Sequence, residues 1–178
     1  MSLDEAKLES EGALAVARLM AVAARTAPKT RGRDHLKILV LEQDELKGLA
    51  EEMERLGRLY NRPSFIRDAL SLSQAKCMLL LGTRLEQLGL EDACGFCGKA
   101  NCQANKEADA ICIYNPLDLG IALGSAASLA ADLKVDTRLM FSAGKAALSL
   151  GLFPPEIKIA IGIPLSVSGK SPFFDRNK

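Results

Sequence analysis

The sequence predicts an α+β fold: a sheet flanked by helices, interrupted by a cysteine-rich, metal-binding insert at about residues 91–112. Three observations carry this. Apolar runs too short for helices, at 38–41, 76–82 and 157–164, alternate with longer segments of helical apolar period. A stretch with neither period holds Cys94-Gly95-Phe96-Cys97-Gly98-Lys99-Ala100-Asn101-Cys102, with Cys112 after a short polar connector. A chain of 178 residues, 48% of them hydrophobic, is long enough to bury one sizeable core, so residues 1–178 read as one domain.

From residue 4 to about 24, Leu8, Ala15, Leu19, Val22 and Ala23 fall near helical spacing, with Glu5, Lys7, Glu9 and Glu11 on the other side. Thr26-Ala27-Pro28 ends this amphipathic helix, because the residue before a proline is steered out of the helical region. Lys29-Thr30-Arg31-Gly32-Arg33-Asp34 is then a basic loop, either a solvated connection or, with Gly32 beside cations, a phosphate cradle. Residues 38–41 read as a buried strand and 44–59 as a helix with a largely charged surface. Pro63 opens a helix to about 75, and 76–82 is a core strand in which Cys77 acts as a small hydrophobe.

Beyond the insert, residues 116–133 form an apolar helix of small residues. Gly120 and Gly124, four apart, let another helix approach closely, and Asp118 and Asp132 leave the apolar centre short of the roughly 20 residues a membrane span needs. Residues 135–141 are a strand or an extended connection, 142–150 a helix stopped by Gly151, and 157–164 a strand before an irregular, basic tail. Gly169-Lys170-Ser171 looks like the end of a phosphate loop, but Pro164 stands where that motif needs its first glycine, so an NTPase is excluded. His35, the one histidine, has no serine elbow near it and reads as structural.

The insert carries the chemistry. In a CxxC pair two sulfurs reach one centre while the intervening residues turn, and Gly95 and Gly98 make the turn sterically easy. Closely spaced cysteines with one remote partner follow the iron–sulfur pattern more than the paired knuckles of zinc. Cys94, Cys97, Cys102 and Cys112 are the candidate ligands, of a [4Fe–4S] cluster, a zinc ion, or as a redox-active thiol cluster without metal. Cys112, in Ile111-Cys112-Ile113-Tyr114, also fits a short buried strand with an inert thiol.

Composition narrows the rest. A net charge of +1, scarce aromatics and no tryptophan leave neither the electrostatic footprint nor the stacking platforms of a nucleic-acid partner. Five cysteines, an odd number with four of them in one insert, are not a disulfide framework, and no signal-peptide pattern opens the chain, which together predict the cytoplasm.

The order of elements resembles the FMN-dependent nitroreductase fold, on Ala27-Pro28 before the first strand, Asp118-Leu119-Gly120-Ile121-Ala122 opening the central helix, and Leu150-Gly151-Leu152 leading to Ile161-Gly162-Ile163-Pro164. More narrowly the chain is similar to a prokaryotic family of uncharacterised proteins described as containing a ferredoxin domain. That likeness rests on Ala24-Arg25-Thr26-Ala27-Pro28-Lys29, the cysteine run, Leu117 to Ser125, Ser168-Gly169-Lys170 and Phe174-Asp175-Arg176. The paired arginines before a serine with which nitroreductases bind flavin phosphate have no counterpart here. The resemblance implies an iron–sulfur cluster that joins a flavin or replaces it, and a homodimer about the central helix.

Two functions follow as expectations. One is an oxidoreductase with a [4Fe–4S] cluster and FMN acting on a small molecule, the phosphate gripped by Lys29, Arg31 and Arg33 together with Lys170 and Arg176, brought to one edge of the sheet. The other is a non-enzymatic electron-transfer or zinc-binding module serving a redox protein partner.

Overall fold

The computed structural model describes residues 4–174. The elements run α1 (Glu5–Thr26), β1 (Leu36–Glu42), α2 (Gln43–Leu59), α3 (Pro63–Ser71), β2 (Cys77–Arg84), α4 (Cys102–Glu107), α5 (Tyr114–Asp132), β3 (Asp136–Thr137), α6 (Phe141–Ser149) and β4 (Ile157–Ser166). All strand pairs are antiparallel, in the order β1-β2-β4-β3, so the fold is a mixed one of helices around an antiparallel sheet, as expected.

Side chains alternate across a strand, and in β2 both sets are apolar. Met78 and Leu80 join a core with Leu49 and Met53 of α2, Phe65 of α3 and Ala143 of α6. Cys77, Leu79 and Leu81 join the opposite core, with Ala13, Ala17 and Met20 of α1 and Ala122 and Ala126 of α5. The sheet therefore has a helical layer on each face, and β2 is buried from Cys77 to Thr83. Among the described residues, neither core cluster takes a side chain from residues 85–113.

Local chemistry fixes the helix ends. Asp4 caps α1 through the Ala6 N–H at 2.8 Å, a Glu42/Glu45 capping box opens α2, and Pro63 occupies the first turn of α3, where its missing N–H costs nothing. The helix expected over 63–75 instead stops at Ser71 and gives way to a single tight turn at Leu72–Gln74. α5 starts at Tyr114, two residues before the proline expected to open it.

Small residues act differently from the sequence expectation. α1 approaches α5 through alanines, with Ala13, Ala17 and Ala24 buried opposite Ala122, Ala126 and Ala130, while an added Cβ at Gly120 or Gly124 would meet nothing within 4 Å. The two glycines therefore lie on an open face. The close approach is at Gly144 of α6, where a Cβ would lie 1.9 Å from the Ala160 carbonyl oxygen of β4. Among the described residues no helix is long and apolar enough to cross a membrane.

Gly144→Ala should lower stability by about 1 to 3 kcal/mol, because backbone rather than a flexible side chain must give way. Gly48→Ala, in α2 with open space around it, should raise stability by about 0.5 to 1 kcal/mol. Urea unfolding midpoints at constant slope check both signs.

Candidate functional site

β2 delivers the chain at Arg84 to one end of the sheet, and residues 85–113 form an excursion that returns at α5. Along it Gly89, Glu91, Gly95 and Gly98 take the left-handed conformation, which folds the segment back on itself. The Gly98 N–H donates to the Gly95 carbonyl at 3.0 Å, closing the turn between Cys94 and Cys97. Cys102 is no loop residue: it opens α4, capped by the Asn101 side chain accepting from the Ala104 N–H at 2.9 Å. Cys112 lies in no strand, immediately ahead of α5.

All four cysteines line one pocket, whose accessible wall is almost wholly apolar and includes Leu88, Leu90 and Ile113. Cys94, Cys97 and Cys102 are partly exposed and Cys112 is buried. Among the described residues no three His, Cys, Asp or Glu side chains gather closely enough to hold a single metal ion. Phe96, 73% exposed, stacks on Tyr114 at 6.2 Å between ring centroids at the rim. Cys77 stands apart, at the far end of β2, and burial, reinforced by Glu42, pushes its thiol up to about 12, so it is protonated and inert near neutrality.

Two buried asparagines organise the pocket, and the sequence reading missed both. Asn105 accepts from Gln87 Nε2 at 2.9 Å and donates to the Ile111 carbonyl at 3.3 Å, joining both arms of the excursion. Asn115 donates to the carbonyls of Glu86 at 2.8 Å and Cys112 at 3.3 Å and accepts from the Glu86 N–H, tying the excursion's ends together. Because its amide nitrogen faces carbonyls, its oxygen faces His35 Nδ1 at 3.2 Å, which therefore carries the proton; His35 Nε2 lies 3.5 Å from Glu86. The legible signal was spacing: each asparagine stands three residues after a candidate ligand, Cys102 to Asn105 and Cys112 to Asn115.

The basic residues are placed differently from expectation. Lys29 spends its ammonium on the carbonyls of Ala24, Arg25 and Ala27 at 2.7–2.8 Å, ending α1, and burial lowers its pKa. Arg31 turns to the Leu88 and Gly89 carbonyls, at 2.9 and 2.6 Å. Arg33 is exposed. Arg176 lies outside the described residues.

The convergence of the two basic segments at one sheet edge is corrected by the register. β1 starts at Leu36 opposite Thr83, whereas β4 ends beyond Leu165, opposite Cys77. Six residue steps along β2 separate those positions, so the strand ends that adjoin loop 29–33 and the segment with Lys170 lie roughly 20 Å apart, at opposite ends of the sheet. One chain does not assemble the expected phosphate site from them.

The comparisons with known proteins agree with this architecture. Residues 108–176 match the family model described as an uncharacterised protein containing a ferredoxin domain. An uncharacterised protein of Archaeoglobus fulgidus is 38% identical over 99% of this chain and 98% of its own length. Among solved structures, a nitroreductase with bound FMN from Desulfitobacterium hafniense is similar at a TM-score of 0.59 and 18% identity, over 96% of this chain and 80% of its own. A nitroreductase family protein from Clostridium novyi is similar at 0.59 and 16% identity, over 98% and 79% respectively. The likeness is one of fold.

Asn105→Ala should leave the Gln87 amide and the Ile111 carbonyl without their partner, at a cost of about 1 to 3 kcal/mol. Hydrogen exchange should accelerate across residues 87–111 while β2 keeps its protection.

Proposed function

The chain belongs to the family of uncharacterised proteins containing a ferredoxin domain, and from that premise we propose that it is an iron–sulfur redox protein of oxidoreductase type, with a [4Fe–4S] cluster held by Cys94, Cys97, Cys102 and Cys112. The observation that carries this is the meeting of all four thiols on one pocket, although they come from a turn, a helix start and the approach to α5. The donor set fits. Thiolates suit iron–sulfur clusters, and a cluster is ligated at separate corners, so it asks for sulfurs around a cavity. Zinc with sulfur ligands is usually closed by two paired knuckles, a spacing this run of three cysteines with one remote partner does not supply. A cluster bound there would supply one-electron transfer. The chain's part is to fix the arm that carries Cys112 through Asn105 and Asn115, and to exclude water with Leu88 and Leu90. Thiol ligands of this kind belong in a reducing compartment such as the cytoplasm.

A second reading is an electron-transfer module that meets a protein partner, and exposed Phe96 at the pocket rim favours it. FMN would separate the two. Flavin is bound by structural neighbours, but in this chain Lys29 and Arg31 are committed to backbone carbonyls and Lys170 stands at the other end of the sheet. No step is therefore routed through flavin.

The proposal includes a homodimer built on α5. Ile113 at the N-cap, with Leu117 and Ile121 on that helix, forms an exposed apolar stripe beside the open Gly120 and Gly124, and such a stripe calls for cover.

Anaerobically purified protein should be brown, with iron and acid-labile sulfide in equal amounts, and each of Cys94→Ser, Cys97→Ser, Cys102→Ser and Cys112→Ser should lose colour while Cys77→Ser keeps it. Stoichiometric zinc without sulfide rejects the cluster. Release of FMN on denaturation would establish the flavoenzyme form, and no flavin binding up to high micromolar concentration would leave the electron-transfer module. Sedimentation should report a dimer at micromolar concentration, weakened by about 1 to 3 kcal/mol in Gly124→Leu; a wild-type monomer rejects the dimer.

A further inference from the structure

We infer that Arg31, rather than gripping a ligand of its own, is the positioning residue for the wall of the cysteine pocket and a cation that, with Lys99 of the lining, biases the reduction potential there. Arg31 lies in the short turn Thr30–Gly32 with φ 58° and ψ 19°, a left-handed backbone that residues other than glycine rarely adopt and that persists where the surroundings dictate it.

The surroundings do dictate it. On one side Lys29 is fixed to the end of α1. Next to it the Thr30 N–H and hydroxyl both donate to Asp118 of α5, at 3.0 and 2.9 Å. With its backbone held at two points, Arg31 extends Nη1 to the carbonyls of Leu88 and Gly89, residues 57 and 58 positions away in sequence. Both line the cysteine pocket, and Leu88 is 1% exposed.

Gly89 completes the fit. Its φ of +71° turns the carbonyl toward the guanidinium, and an added Cβ would lie 2.9 Å from Arg31 Nη1. A left-handed arginine and a left-handed glycine thus interlock across two loops, so the pocket wall is held to α5 by way of Thr30, Arg31 and Gly89. Charge adds a second effect: a permanent cation bonded to the pocket wall favours the more reduced, more negative state of whatever redox group the four thiols hold. This rests on the cluster reading above for its redox arm, but not for its positioning arm.

The test compares wild type, Arg31→Ala, Arg31→Lys and Gly89→Ala, each reconstituted anaerobically. Arg31→Ala should keep its circular dichroism, exchange amide hydrogens faster over residues 87–95, lose iron to a chelator about 10-fold or more faster, and show a more negative midpoint in dithionite titration. Arg31→Lys should restore the midpoint, since it restores the charge. Gly89→Ala should reproduce the faster exchange and iron loss while retaining the cation. Wild-type exchange and iron loss in Arg31→Ala overturn the positioning role, and an unchanged midpoint overturns the electrostatic one. If Arg31→Ala does not fold, Gly89→Ala decides the positioning role, with wild-type exchange over 87–95 overturning it, and Arg31→Lys decides the electrostatic one, with a midpoint shifted from wild type despite the retained charge overturning it. A wild type that takes up no iron and sulfide defeats the cluster reading, while the exchange data still judge the positioning role.

Discussion

A strand that is apolar on both faces must be covered on both faces, and β2 imposes that requirement on the whole chain. Five consecutive side chains, Cys77 to Leu81, are at most 1% exposed. Covering them takes α2, α3 and α6 on one side and α1 and α5 on the other. β1 and β4 pair along the two edges of β2, which satisfies its backbone as well. Once β2 is fixed at the centre, its end at Arg84 is fixed too, and so is the place where the cysteine excursion leaves the sheet.

The excursion is held differently from the core. Where the sheet relies on apolar burial, residues 85–113 rely on directed polar contacts: Asn115 at the base, Asn105 between the arms and Arg31 from the side. Directional bonds suit this task because they set distances between particular backbone groups, whereas apolar burial would tolerate sliding. Even the His35 ring, which has no role in holding the thiols, is oriented by the same Asn115 amide.

How much was legible in the sequence depended on range. β2 announced itself as an uninterrupted apolar run, α1 and α2 by their period, and α3 by Pro63. The cysteines were visible as a set because their spacing is local. What was not legible was which end of one strand meets which end of another. Nothing near Lys29 or Lys170 in sequence encodes the antiparallel register that separates them, since register is settled by pairing between distant segments. The same holds for Arg31, recognised as a cation but not as a donor to carbonyls almost sixty residues away. The glycines show it at smaller scale: Gly120 and Gly124 read as places of close approach, yet it is Gly144 that another backbone meets, and only the fold tells the difference.

Because neither core cluster draws on residues 85–113, the thiol-bearing segment should open as a unit of its own, separate from the sheet and its two helical layers. In small metal-organised domains the bound ion and the native state are gained and lost together. Here the body owes its cohesion to β2 and its helices, so the excursion can open and close as a local event, at a free energy well below that of global unfolding. If the four thiols hold a cluster as proposed, such a body is folded before the cluster arrives and outlasts its loss.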